Sequence, residues 1–121
     1  MNALILIAHG SRLETSNQEF MDLVMKIRQT VGDQFSQVEG CFLEIAQPTL
    51  EALTATLVEQ GIKQVDIYPY FLSAGRHVER DIPLLINNIS TAHPELVIKV
   101  HPHLGKAAEL PGLVLNQINW R

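Results

Sequence analysis

The sequence predicts an α/β fold in which a four-stranded parallel sheet lies between helices, a three-layer (βα)₄ arrangement. Four short apolar runs alternate with four segments whose apolar residues recur at helical spacing. The first run, Leu4–Ile7, is apolar at every position, as is typical of a parallel strand buried on both faces. Right-handed crossovers then place helices on both sides of the sheet. Residues 1–121 have the length of a single domain and contain no linker or repeat.

A change of hydrophobic period separates the first strand from the first helix. Strand 4–7 leads into a polar stretch. The apolar residues that follow recur at the spacing of an amphipathic helix, namely Phe20, Leu23, Val24, Ile27 and Val31. We expect Thr15 or Ser16 to cap the start of this helix and Gly32 to end it.

Three further strand–helix units follow. We expect strands at 38–43, 65–70 and 96–100, each followed by a helical pattern. Gly61 ends the second helix, and Pro83 suits the first turn of the third. The apolar stripes of the three helices are Leu50, Leu53 and Leu57; Ile82, Leu85, Ile86 and Ile89; and Leu110, Leu113, Val114 and Ile118. Pro111 and Gly112 suggest a late start or a break in the last helix.

Polar residues follow the expected strands, and in a parallel sheet they share one edge. His9 comes directly after the first strand and Glu44 after the second. His77 follows the third strand, across a loop of small residues. With a flavodoxin-like strand order 2-1-3-4, the order reverses between strands 1 and 3, so His9 and His77 border the crevice where such folds bind ligands. His101 and His103 belong to the same edge, whereas His93 follows a helix and belongs to the opposite end.

Composition excludes several classes of function. A formal charge of −4 argues against nucleic acid as a partner, because phosphate binding needs a basic surface. No apolar run approaches the ~18 residues of a membrane span. The N-terminus lacks the features of a signal peptide, so we expect a cytoplasmic protein. Cys41 is the only cysteine, which rules out an intrachain disulfide and favours a buried core residue.

Two histidines and a carboxylate at one edge indicate a metal site with open coordination positions. Imidazole suits divalent cobalt, nickel, iron and zinc. Each histidine alone is more often a loop hydrogen-bonding residue, and turn geometry with positive φ is an alternative explanation for Gly10 and Gly75. Three arginines at this edge of an acidic protein suggest an anionic ligand, with solvated surface charge as the alternative. They are Arg12, Arg76 and Arg80.

Several motifs resemble a known family. The run 8–12 reads A-H-G-S-R, and 42–44 reads F-L-E with Pro48 downstream. Residues 71–83 follow the pattern F-L-x-x-G-x-H-x-x-x-D-I-P, which is the most specific of these motifs. The tail at 102–105 is also similar. Together they resemble the short, single-domain sirohydrochlorin chelatases, class II tetrapyrrole chelatases with a chelatase-like fold, over nearly the whole chain.

The resemblance implies insertion of a divalent metal (Co²⁺, Fe²⁺ or Ni²⁺) into metal-free sirohydrochlorin by a homodimer with no permanently bound cofactor. By the same resemblance, His9 and His77 form the metal-binding pair. Glu44, or one histidine after it releases the metal, is the candidate general base for the two inner protons of the macrocycle. The expected substrate-binding residues are Ser11, Arg12, Ser73, Gly75, Arg76 and Arg80.

Two other functions fit the same residues. A metal-dependent hydrolase or lyase would use the histidine pair to activate water, with Glu44 as the third ligand. A non-catalytic carrier would bind the tetrapyrrole or the metal and leave the insertion rate unchanged. Neither the metal nor the pathway (cobalamin, sirohaem or coenzyme F430) follows from these residues, because all three metals accept imidazole.

Overall fold

A computed structural model describes residues 1–119, with the side chains of His77 and Val78 outside that description. It confirms the α/β architecture. The strands are β1 (Asn2–Ala8), β2 (Gln37–Phe42), β3 (Gln64–Pro69) and β4 (Val97–Val100). The helices are α1 (Glu14–Thr30), α2 (Leu50–Glu59), α3 (Ile82–Ala92) and α4 (Leu110–Gln117). Short 3₁₀ turns occupy Gly32–Gln34 and Leu104–Lys106, and a π-helical turn, His77–Asp81, precedes α3.

The four strands form one parallel sheet in the order β2-β1-β3-β4, as predicted. In the central strand β1, Ile7 pairs with Cys41 of β2 on one side and with Pro69 of β3 on the other. The strand order therefore reverses between β1 and β3, and the loops that follow these strands emerge side by side. This is the position at which open α/β sheets bind ligands.

Each face of the sheet has its own hydrophobic core. One core joins alternate residues of the strands to α2 and α3, and its fully buried members include Ile5, Ile67 and Leu57. The other core packs α1 on the opposite face, through Phe20, Val24 and their strand partners. Side chains alternate between the two faces of a strand, so the continuous apolar run of β1 fills both cores. This explains the apolar character that the sequence analysis relied on.

Cys41 is fully buried in the first of these cores, as expected. Loss of solvent around its sulfur raises the pKa of the thiol to about 12. The group is therefore a protonated thiol at neutral pH and behaves as a small apolar side chain.

The expected cap of α1 is wrong. The helix begins at Glu14, so Thr15 and Ser16 lie inside its first turn, and the cap position is Leu13. The Ser11 hydroxyl accepts a hydrogen bond from the Leu13 amide (3.0 Å), which turns the chain into the helix earlier than the sequence suggested. Glu14 in the first turn suits the positive end of the helix dipole.

The C-terminal elements leave apolar side chains exposed. The last helix forms where it was predicted and begins at Leu110, with Pro111 tolerated in its first turn, but none of its residues is buried. Leu113, Val114 and Ile118 are 49%, 53% and 66% exposed, and Val97 of the edge strand β4 is 58% exposed. None of the helices in residues 1–119 combines the length and hydropathy needed to cross a membrane.

Candidate active site

The loop after β1 presents His9 and is held in place by a buried asparagine. Asn17, in the first turns of α1, accepts a hydrogen bond from the Ser11 amide (2.9 Å). Its own amide donates to the Ser11 carbonyl oxygen at 2.8 Å. This pair of bonds fixes the loop between strand and helix, so the direction in which His9 leaves the sheet is set by α1. Asn17 was not identified from the sequence. The signal that could have identified it is a polar residue three positions before Phe20, on the buried side of the helix.

The structure brings Glu44 against His9. Pairing of β1 with β2 continues beyond the strand ends, because the Leu43 amide donates to the Ala8 carbonyl (2.8 Å) and the Glu44 amide to the His9 carbonyl (3.1 Å). The side chains then meet at ion-pair distance, with 3.2 Å between His9 Nε2 and Glu44 Oε2. The side chains are 42% and 54% exposed, although Nε2 itself is shielded from solvent.

Gly10 makes this approach possible. A β-carbon at position 10 would lie 1.9 Å from the Glu44 carbonyl oxygen, a distance that no real contact allows. Gly10 also has φ +98°, a conformation that residues with a side chain rarely adopt. A glycine is therefore needed after His9 for two reasons. The turn has positive φ, and the Glu44 carbonyl oxygen leaves no space for a side chain.

Ile45, next to Glu44, adopts a strained backbone conformation. Its φ is +74°, which is rare for a β-branched residue. The turn is closed by a 2.8 Å hydrogen bond from the Ala46 amide to the Glu44 carbonyl, and the Ile45 side chain is exposed. Strain of this kind persists where surrounding structure enforces it and is concentrated at functional sites. Here it accompanies the carboxylate that contacts His9.

The loop after β3 emerges beside the His9 loop. The Tyr70 amide donates to the Ile7 carbonyl (2.8 Å), which extends the β1–β3 pairing past the end of the strand. Gly75 has φ +50°, so both glycines singled out from the sequence supply positive φ. His77 then begins the π-helical turn, a feature that occurs often at functional sites. Its side chain lies outside the described part of the chain, so its expected pairing with His9 stays a prediction.

The three arginines of this edge are exposed. In the described part of the chain, Arg12, Arg76 and Arg80 form no ion pair with a carboxylate, whereas Arg28 pairs with Glu39 at 3.3 Å on another surface. Ser73 and Gly75 are also exposed. The guanidinium groups are therefore available to an anionic ligand.

The remaining histidines separate into two groups. His101, which follows β4 at the same edge, contacts the buried Asp66 of β3 with 2.7 Å between Nε2 and Oδ2. His103 is buried in the same loop. His93 ends α3 at the opposite end of the sheet, as predicted. Asp66 was not identified from the sequence, where it is a single polar residue inside an apolar strand.

No set of three His, Cys, Asp or Glu side chains gathers as a metal cage among the residues whose side chains are described. His9 and Glu44 supply two donors, one nitrogen and one oxygen, at an exposed edge. Structural metal sites are closed by four protein ligands, whereas sites with fewer protein ligands leave positions open to another ligand.

Residues 3–120 match the family model described as CbiX. The chain belongs to the CbiX family. The match includes every element of the sheet and each of the edge residues described above.

The relatives that this chain resembles are named as chelatases. A sirohydrochlorin cobaltochelatase of Methanocaldococcus jannaschii is 37% identical over 93 residues, which are 77% of this chain and 64% of the relative. A sirohydrochlorin ferrochelatase of Priestia megaterium is 25% identical over 98% of this chain and 44% of its own length. The crystal structure of the sirohydrochlorin chelatase SirB from Bacillus subtilis subspecies spizizenii, in complex with cobalt, superimposes with a TM-score of 0.86 at 25% identity. The superposition covers 98% of this chain and 50% of SirB.

The chain thus spans about three fifths of the length of the first relatives it matches, and about half of SirB. The fold agrees with that of SirB.

Replacing Gly10 with Ala is expected to damage the site and the fold together. The added methyl group cannot coexist with the Glu44 carbonyl, so the two loops must separate and residue 10 must leave positive φ. We expect a loss of about 1–3 kcal/mol in the free energy of unfolding, measured by urea denaturation.

Gly112→Ala is the matched control, because Gly112 lies in the exposed helix α4 with open space around it. It should be neutral or stabilise by about 0.5–1 kcal/mol, the usual gain from alanine in a helix. Equal stability of the Gly10→Ala variant and the wild-type protein would show that the loops do not depend on this approach.

Proposed function

We propose that the chain is a sirohydrochlorin chelatase that inserts a divalent metal ion into the metal-free macrocycle. The observation that carries the proposal is the His9–Glu44 contact of 3.2 Å at the edge where the strand order reverses. Membership of the CbiX family and the chelatase names of its relatives supply the substrate. Insertion exchanges two inner protons of the macrocycle for one M²⁺ ion, so the reaction needs a metal donor set and a proton acceptor but no electron carrier.

His9 and His77 are proposed to hold the metal before transfer. Two neutral imidazoles bind cobalt, iron or nickel and leave positions open to the macrocycle nitrogens. His77 lies at the start of the helical segment that follows the strand adjacent to β1. Its contribution comes to this chain from the motif F-L-x-x-G-x-H and not from a measured distance.

Glu44 is proposed to remove protons from the macrocycle. Its carboxylate is about half exposed and contacts a histidine that can pass protons onward, so it suits a general base. The 3.2 Å between nitrogen and oxygen also equals the spacing of two neighbouring ligands on one ion, which is about 3.0–3.4 Å for ligand bonds near 2.1 Å. Proton transfer and metal ligation by Glu44 therefore make different predictions, which are stated below.

The exposed arginines are proposed to hold the carboxylates of sirohydrochlorin. Charge-assisted hydrogen bonds from Arg12, Arg76 and Arg80 would position an anionic macrocycle despite the negative net charge of the chain. Tyr70 and Leu72 are 37% and 71% exposed at this edge and offer apolar contact to its face.

Two residues near this edge have structural roles. Phe42 is 3% exposed and packs edge-to-face on Phe20, so it belongs to the core and does not line the macrocycle wall. The Ser11 hydroxyl accepts the Leu13 amide bond and therefore helps to shape the His9 loop. Its proton remains available to a ligand.

Cobalt is the metal we favour, because the more similar of the two relatives is a cobaltochelatase. Initial rates of insertion into sirohydrochlorin for Co²⁺, Fe²⁺ and Ni²⁺ under anaerobic conditions, followed by absorbance, test both the activity and the choice. Binding of sirohydrochlorin or Co²⁺ together with a rate no higher than the uncatalysed reaction for all three ions would make the chain a carrier.

We also propose a homodimer. The chain matches about half of SirB, so a second copy would take the position of the half of SirB that the chain does not match. The exposed apolar side chains of β4 and α4 indicate where it would dock, because apolar surface of this kind usually marks an interface. Val97, Leu113, Val114 and Ile118 are the residues concerned.

Alanine at His9 or at His77 should each remove most of the insertion activity, because each substitution removes one of the two nitrogen ligands. The double variant should be little worse than either single variant, since both histidines act in one site and the loss of either already removes most of its function. Initial insertion rates measure this. His93→Ala, at the opposite end of the sheet, should match wild type. Near-normal insertion by either single variant would exclude that histidine as an essential ligand.

Glu44→Gln should lower turnover by about 10²-fold or more, the scale of a lost general base, with metal affinity nearly unchanged. Insertion kinetics and calorimetric titration with Co²⁺ separate the two effects. Loss of metal binding would make Glu44 a ligand instead, and unchanged turnover would deny it either role. Glu14→Gln is the matched control, because Glu14 is an exposed carboxylate of the neighbouring helix start.

The wild-type protein should sediment at about twice its 13.5 kDa mass at micromolar concentration. Val114→Glu, which places a charge among the exposed apolar residues of α4, should shift it to the monomer without unfolding it. Met25→Glu, on the exposed side of α1, is the control and should leave the dimer intact. A wild-type monomer would contradict the proposal, and a dimer unaffected by Val114→Glu would relocate the interface.

A further inference from the structure

A groove of about 560 Å³ lies beside the proposed active site, between α3 and the loop that follows β4. Its apolar wall is formed by Ile82, Ile86 and Val100. His101, His103 and Lys106 stand along its other side. The described lining residues include these three cationic or imidazole side chains and no carboxylate, although the chain as a whole carries a formal charge of −4. Its chemistry is complementary to an anion with an apolar body.

Two contacts with β3 hold His101 in place beside the groove. The buried carboxylate of Asp66 contacts Nε2 at 2.7 Å, and the His101 amide donates to the Ile67 carbonyl at 2.9 Å. A carboxylate oxygen accepts a hydrogen bond, so Nε2 is the donor in this contact, and the neutral ring keeps Nδ1 as an acceptor that does not donate to an anion. Asp66 therefore acts as a positioning residue for this histidine.

The groove borders the loop that leads to His77. Pro69, the last residue of β3, lines it, and the next residue leads into the loop before His77. Gly105 is packed against that loop, since its amide donates to the Phe71 carbonyl (3.0 Å) and a β-carbon there would lie 1.8 Å from the Leu72 carbonyl oxygen. Ile82 and Ile86 belong to the helix that follows the π-helical turn. The loop after β4 is two strands away from the loop after β1, about 10 Å at the usual strand spacing, so we expect a large flat ligand bound at His9 to reach the groove.

We propose that the groove binds a carboxylate-bearing arm of the tetrapyrrole substrate, with Lys106 as the cation and the apolar wall in contact with the arm. This inference rests on the proposed function and adds a subsite that selects for carboxylates at one side of the macrocycle. A lysine ammonium at the mouth of a partly apolar groove forms a charge-assisted hydrogen bond, stronger than one in open water.

The test is a titration of the whole protein with metal-free sirohydrochlorin, followed by absorbance. Lys106→Met should weaken binding about tenfold, the consequence of one lost charge-assisted bond, and Lys106→Arg should restore most of it. Lys106 is exposed, so neither variant should unfold the chain. Lys63→Met is the matched control, because Lys63 is an exposed lysine at the opposite end of the sheet. The affinity of the Lys63→Met variant for sirohydrochlorin should equal that of the wild-type protein.

The possible results distinguish this inference from the proposed function. If the wild-type protein binds sirohydrochlorin and Lys106→Met has the same affinity, the proposed role of the groove is wrong. The same holds if Lys63→Met weakens binding as much as Lys106→Met does. The chelatase proposal stands in both cases. A shift of Lys106→Met from dimer to monomer in sedimentation would assign the groove to a second copy of the chain and also overturn the inference. A wild-type protein that neither binds sirohydrochlorin nor accelerates metal insertion would overturn both.

Discussion

The carbonyl oxygen of Glu44 occupies the space that a side chain on residue 10 would need. This backbone contact joins the loops after β1 and β2, and the site depends on it. Two further backbone hydrogen bonds continue the strand pairing past the strand ends, and they deliver the Glu44 carboxylate to 3.2 Å from His9. Gly10 also supplies the positive φ of the turn, and the strained φ of Ile45 accompanies the contact. Tight local geometry at this edge thus places an imidazole and a carboxylate together on an exposed surface.

The fold could be predicted because its determinants are periodic and local. The apolar runs fixed the strands to within a few residues, and the requirement for right-handed crossovers left few topologies for four strands and four helices. The location of His9 and Glu44 at one edge followed from parallel strand direction alone. Their contact did not, because it depends on hydrogen bonds beyond the strand ends and on one close backbone approach, neither of which has a periodic signal.

The residues that were missed or misassigned share this cause. Asn17 and Asp66 are single buried polar residues whose roles depend on partners distant in space or in another loop. Thr15 and Ser16 were plausible caps, but the Ser11 hydroxyl and Asn17 bonds start the helix earlier. The apolar pattern of α4 predicted a helix correctly and could not show that its apolar side chains are left uncovered. Hydrophobic periodicity shows which face of a helix is apolar, but it does not show which other element packs against that face.

We propose above all that a metal ion binds at the His9 edge on its way into a macrocycle. A crystal structure of the protein with Co²⁺, with the ion located by anomalous scattering, tests this most directly. We expect one ion coordinated by the imidazoles of His9 and His77, with open positions facing solvent and Glu44 nearby. An ion bound by His101 and His103, or at His93 on the far end of the sheet, with none at His9, would contradict it.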